Sequence, residues 1–273
     1  SVGTMNGRLT AILRASLHWT LRVKVVLLCL FAGPLVLLGS GDVSFEGNWR
    51  TASHARIGLA PDPADHPEAL VQVYGARAFR WRGAFGIHTW VAVKPAEAAT
   101  YTQYHVLGWR ARHGGNAVSS VRGYPDREWY GAMPTLLGEL RGAAAERAIP
   151  KIEAAVARYP YNRWYRIWPG PNSNTFVAYI TRAVPELNAD LPPSALGKDY
   201  PVREDARPGG FDAVPVLGRP PSGRGTQISL GGVAGAIVSP VEGIEANVLG
   251  LGFGLDPDDL ALRLPGLGKV SLN

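Results

Sequence analysis

Three side chains carry the residue types that hydrolysis or transfer of an amide or ester needs: His88, His105 and Ser173. An imidazole within hydrogen-bond reach can deprotonate a hydroxyl, and a second polar group can orient that imidazole. Ser173 is the candidate nucleophile, His88 the candidate base and His105 the candidate orienting group. A serine at a helix start also sits beside free N–H groups and the positive end of the helix dipole, which favour a developing oxyanion. Asn172 and Asn174 flank it as candidate donors, and Trp90, Tyr104 and Trp164 are candidates to line a groove. Each has a plainer role as well. Serine is a preferred helix cap, Asn172 and Asn174 suit hydrogen bonds to a turn backbone, and Trp164, Tyr165 and Trp168 suit packing. Tyr104 faces away from His105 on the same strand and replaces it if the register shifts by one.

These residues are far apart in the chain, so the fold must bring them together. Ala69–Ala76 and Ile87–Lys94 have the period of strands. In the second, Ile87, Thr89, Val91 and Val93 share one face and His88, Trp90, Ala92 and Lys94 the other. Pro95–Ala99 predicts a turn into a third strand, Tyr101–Trp109, and His113 beside Gly114 and Gly115 reads as a hairpin tip. Met133–Tyr159 has helical spacing, with Leu136, Leu137, Leu140, Ala144 and Ala148 on one face. Pro150 predicts a break and a second helix over Lys151–Arg158. Asp126 reads as a turn residue. Asn172 or Ser173 caps a further helix over Asn174–Val184. Pro192 to Pro221 is too proline-punctuated for one regular element, and Thr226–Asn273 reads as short strands or a hairpin that packs on the main domain or lies near a membrane surface.

The chain of 273 residues has a formal net charge of +6. Arg8, Arg14, Arg22 and Lys24 supply most of it, all ahead of the uncharged run Val25–Gly39. A basic cluster before an apolar run is a membrane-orientation signal, and no basic stripe interleaved with aromatics suggests nucleic acid. Residues 17–39 are expected to anchor the chain in a bacterial inner membrane by a single pass, with the body in the periplasm. Cleavage as a signal peptide near Gly39, Ser40 and Gly41 is the competing reading. Cys29, the one cysteine, lies inside the apolar run, so neither a disulfide within the chain nor a catalytic thiol in the body is available. No metal-ligand spacing and no cofactor motif is found, and the Gly231–Gly235 run lacks the Lys-Ser/Thr of a phosphate loop.

The segment N-S-N-T-F-V, Asn172–Val177, follows a helix and the aromatic stretch Y-N-R-W-Y. It resembles the permuted papain-like families, the lecithin retinol acyltransferase type and the NlpC-type cell-wall hydrolases, whose motif is N-C-x-x-F-V. The resemblance implies an α+β fold with a permuted papain-like core, an antiparallel sheet packed on helices, in the order His strand, polar strand, helix, nucleophile helix. It covers Ala69–Leu187. Ser173 stands where those families have the nucleophilic cysteine, and a hydroxyl is far less acidic than a thiol. More closely, the whole chain, through P-G-P-N-S-N-T-F and the closing E-G-I-E-A-N-V-L-G-L-G-F-G-L-D-P and L-P-G-L-G-K, resembles a bacterial family of unknown function, domain-of-unknown-function family 3750. The expected organisation is a cytoplasmic stub and anchor over 1–41, a linker over 42–68, the papain-like domain over 69–200 and an extension over 201–273. Two functions stay open. One is a serine-dependent hydrolase or acyltransferase acting on a lipid, peptide or glycan of the envelope. The other is a catalytically inactive binding or scaffold module that serves a membrane complex.

Overall fold

The computed structural model describes residues 2–43, 45–203 and 215–272. The chain is mixed α+β: an N-terminal helix, a five-stranded and a seven-stranded antiparallel sheet, and helices between them. Helix α1, Val2–Ser40, continues through Pro34. Its part from Ser16 to Ser40 is long and apolar enough to cross a membrane. The end of α1 is not free: Leu30 and Leu37 are buried, and Leu37 joins Val43, Ala84, Phe85 and Leu267 in a small apolar cluster.

The first sheet has the order β4-β3-β2-β1-β5. Strands β1 (Leu70–Arg77) and β2 (Ile87–Lys94) pair over their whole length, β3 (Thr102–Val106) follows the expected turn, and β4 (Val118–Arg122) closes one edge. The third strand ends earlier than expected. Gly108–Arg112 form a short helix, α2, and His113 is its C-cap rather than a hairpin tip. The larger departure is at Thr135–Arg141, which is strand β5 rather than the start of a helix. Leu136, Leu137 and Leu140 fit helical spacing, but pairing with β1 gives this segment its backbone partners. Gly138 fits there because a Cβ would lie 3.0 Å from Ala189. Helix α3, Gly142–Arg158, then runs through Pro150 without a break. An internal proline costs about 3 kcal/mol. Burial of Ala145, Ala148, Ile149, Ile152 and Ala155 offsets it, each apolar side chain removed from water contributing on the order of 1–3 kcal/mol.

Helix α4, Ser173–Ala183, lies beside α3, and both cover one face of the sheet. The main core is this layer contact: Val71, Val73, Val91 and Val93 from the strands against Ile152, Phe176, Val177 and Ile180 from the helices. Residues 45–68 are irregular but tied to the domain, as buried Ala60 donates its N–H to Asp126 Oδ2 at 3.0 Å.

The C-terminal region is more regular than its sequence suggests. Strands β6 (Pro215–Gly218), β7 (Thr226–Leu230), β8 (Ala234–Ser239), β9 (Gly243–Val248), β10 (Leu251–Asp256), β11 (Ala261–Leu264) and β12 (Gly268–Ser271) form one up-and-down sheet in chain order. Part of the proline-punctuated stretch, residues 204–214 with Pro208, lies outside the described residues. This sheet docks through charge. Arg263 Nε donates to Glu245 Oε2 at 2.8 Å and its Nη2 meets Asp190 Oδ1 at 2.8 Å. Lys198 meets Glu245 at 2.7 Å, and Lys269 meets Asp256 at 2.7 Å and Asp190 at 3.0 Å. Burial would lower the Arg263 pKa. The hydrogen bonds and charges of Asp190 and Glu245 outweigh it and hold the guanidinium above its ordinary value.

Candidate functional site

Strand alternation divides the expected site between the two faces of the first sheet. Thr89 faces the helices: its hydroxyl donates to Asn174 Oδ1 at 3.0 Å and lies 3.3 Å from the Ser173 carbonyl oxygen. His88, one residue earlier, points to the opposite face. There His88 Nε2 lies 3.3 Å from His105 Nδ1, with the two rings nearly parallel. The structure therefore brings His88 and His105 together and leaves Ser173 behind the sheet. The expected nucleophile–base pair is not formed, because β2 places its imidazole and its helix contact on opposite sides.

The other expected residues divide the same way. Asn172 is the α4 cap, its Oδ1 accepting from the N–H groups of Asn174 at 2.9 Å and Thr175 at 3.1 Å. Its amide donates to the carbonyls of Ile167 and Leu196 at 2.9 Å each. The Asn174 amide donates to Ile87 at 3.1 Å and Leu196 at 2.9 Å. Both side chains are thus occupied in tying α4 to β2 and to the loop after it. Tyr104 packs into the helix-side core, away from the imidazoles. Trp164 is exposed and does not line the cleft described below. Trp90 does line it, buried beside the histidines, with its indole N–H donating to the Pro125 carbonyl at 3.0 Å.

The hydrogen bonds on the histidine face fix the proton positions. Gln103 Nε2 donates to the carbonyls of Gly123 at 3.1 Å and Tyr124 at 3.2 Å, so its oxygen faces His105. His105 Nε2, 3.3 Å from that oxygen, carries the proton and donates to it. His105 Nδ1 then accepts from His88 Nε2–H, which leaves His88 Nδ1 as the pair's remaining lone pair. Burial pushes both imidazoles toward the neutral form. The His105 pKa falls to about 4, and that of His88 falls well below its ordinary value, with the neighbouring His105 adding to the effect of burial.

Trp129 roofs this pair. Its ring lies 3.8 Å from that of His88 at an interplanar angle of 10°. Beside it opens a cleft of about 390 Å³, lined among others by Trp90, Gln103, His105, Trp129, Arg122 and Arg127. The segment that forms the roof is held from beneath. Asp126, expected as a turn residue, is fully buried; it accepts from Ala60 N–H and sits 3.5 Å from Arg56 Nε. Sequence reasoning missed Gln103 and Trp129. Gln103 carried a signal, since it lies two residues before His105 and so on the same face. Trp129 carried none, because it sits in an irregular segment with no period.

Fold and site together define a mixed α+β protein with an aromatic–imidazole cleft on the helix-free face of an antiparallel sheet. Residues 68–200 match the family model described as Protein of unknown function (DUF3750). The match supports the family resemblance over that span, which holds both histidines, Trp129 and α4, while the Gly-rich closing stretch lies beyond it. No curated protein and no solved structure matches the chain.

Proposed function

We propose that this chain is a membrane-anchored binding module whose ligand site is the cleft lined by His105, Trp90 and Trp129, and that Ser173 serves the start of α4. The observation that carries this reading is the placement of the imidazole pair and Ser173 on opposite faces of the first sheet. The order His strand, polar strand, helix supports a permuted papain-like frame, used here for binding. The apolar helix, the basic residues ahead of it and the absence of charge from Val25 to Gly39 support a single-pass anchor with the body on the periplasmic side.

The cleft chemistry suits a sugar ring bearing an acidic group. Indole faces take the C–H faces of a sugar, and among the charged lining residues Arg122 and Arg127 outnumber Glu128. Calorimetric titration of the full chain in detergent with muramic-acid-containing saccharides is expected to give saturable binding, and neutral chitooligosaccharides of the same length weaker binding. Trp129→Ala is expected to weaken the muramic ligand at least tenfold. Equal affinity of Trp129→Ala and wild type would remove the cleft as the site.

A further inference from the structure

The seven-stranded sheet is inverted relative to an ordinary half-buried sheet. Its inward side chains are mostly polar or charged, among them Gln227, Ser229, Glu245 and Arg263, all buried, with Ile237 and Ala261 the buried apolar members. Its outward ones are apolar apart from Thr226. Strand pairing aligns Val238, Ile244, Leu255, Leu262 and Val270 in one cross-strand row, and Ile228 and Phe253 flank a second. Val238 is 60% exposed, Ile244 57% and Leu255 45%. No outward side chain on β7 to β12 is charged. An antiparallel sheet with one wet face normally turns its polar residues toward the water. A continuous apolar patch of this extent marks contact with something other than water.

Helix α1 indicates what that contact is. A hydrocarbon core of roughly 30 Å takes about 20 helical residues at 1.5 Å each. Counted from Leu17, that stretch ends near Leu37, yet the body already covers one side of α1 from Leu30 onward. Gly33 lies against Pro265 and Leu267 in the β11–β12 turn, where a Cβ would come within 2.1 Å of the Pro265 carbonyl oxygen. Gly266 in turn packs on Pro34, and α1 also touches β10. The end of the sheet beside β10 to β12 is therefore held at the depth of the last turns of α1. The exposed apolar side of the helix, with Leu35 and Val36, and the outward face of the sheet meet along this seam.

We infer that the outward face of the seven-stranded sheet rests on the lipid bilayer, beside the helix that anchors the chain. The inference rests on the anchor reading above. Among the described residues β6 and β12 are the two edges of an open sheet, and an open sheet is excluded from lipid hydrocarbon, so it lies on the surface at headgroup and upper-acyl level and does not cross. The charged network behind it clamps the sheet to the folded domain, so the face is presented as a rigid plane.

The test uses the full chain reconstituted in phosphatidylethanolamine/phosphatidylglycerol vesicles. An environment-sensitive fluorophore is placed on native Cys29, or, in a Cys29→Ser background, on Val238→Cys, Phe253→Cys or Lys151→Cys. Quenching is compared between nitroxide-labelled lipids and aqueous iodide. The expected result is at least twofold stronger quenching by nitroxide lipid than by iodide at 29, 238 and 253, and the reverse at 151, whose lysine is exposed on α3. Lipid quenching at 29 with iodide quenching at 238 and 253 would leave the anchor standing and overturn the inference. Protection from both quenchers at 238 and 253 would mean that protein covers the face, a second copy or another chain, and would also overturn it. Iodide quenching at 29 would remove the anchor and the inference with it. Two sheet positions are used so that one poorly folding variant does not decide the outcome.

Discussion

Replacing Arg263 with alanine is expected to cost about 3 kcal/mol or more of folding stability, the range for removing one partner from a buried ion pair. The guanidinium is fully buried and holds Glu245 and Asp190 while its Nη2 also donates to the Leu191 carbonyl at 2.9 Å. Its loss leaves the buried Glu245 and the partly exposed Asp190, one from each side of the junction, short of positive charge. Lys198 and Lys269 remain beside them, which keeps the cost toward the lower end of that range. The damage is expected to be local first: the seven-stranded sheet should loosen from the Asn188–Tyr200 loop before the first sheet melts. Amide hydrogen exchange of β9 to β11 in detergent should report that. Lys151→Ala, which removes an exposed pair with Glu186, should change stability by less than about 1 kcal/mol.

Acid is expected to destabilise the fold through the histidine pair. In the unfolded chain an imidazole takes up a proton near pH 6.5, whereas folded His105 does so only near pH 4. Between those values the unfolded state binds more protons, so stability is full above pH 6.5 and falls as the pH drops. A tenfold difference in proton affinity between the two states is worth about 1.4 kcal/mol, so His105 alone contributes about 3 kcal/mol of stability that is lost across this window. His88 is displaced in the same direction and steepens the loss. Urea unfolding from pH 7 to pH 4 should show this slope, and the double substitution His88→Gln, His105→Gln should flatten it whatever it does to stability at neutral pH. An unchanged slope would mean that the pair is not buried as a neutral unit.

Strands β1 and β2, the turn between β2 and β3, and the start of α4 were legible because each has a local signature: period-two alternation, Pro95–Ala99, and a capping asparagine. Even the two side-chain sets of β2 were legible. Which set would meet the helices was not, since both carry apolar residues, Val91 and Val93 on one side and Trp90 and Ala92 on the other. That single ambiguity moves the histidines from the Ser173 side to the far side. Thr135–Arg141 was misread because Leu136, Leu137 and Leu140 satisfy helical spacing, while the edge of β1 that captures them is more than fifty residues away in the chain. Short strands over Thr226–Asn273 were legible, but which of their faces turns inward was hidden by the sheet's inversion. Its alternating Gln227, Ser229, Glu245 and Arg263 look like a solvent face, and only the buried partners Asp190, Lys198 and Asp199 from an irregular loop show otherwise.

Labelling with a fluorophosphonate probe tests the central claim most directly, because such a probe reacts only with a serine that a nearby base has activated. The full chain in detergent, with its unfolding transition intact, is expected to take up no label at Ser173, as the first sheet stands between that hydroxyl and the imidazoles of His88 and His105. Stoichiometric label on Ser173 that disappears in both Ser173→Ala and His88→Ala would contradict the account and restore a serine-dependent hydrolase or acyltransferase.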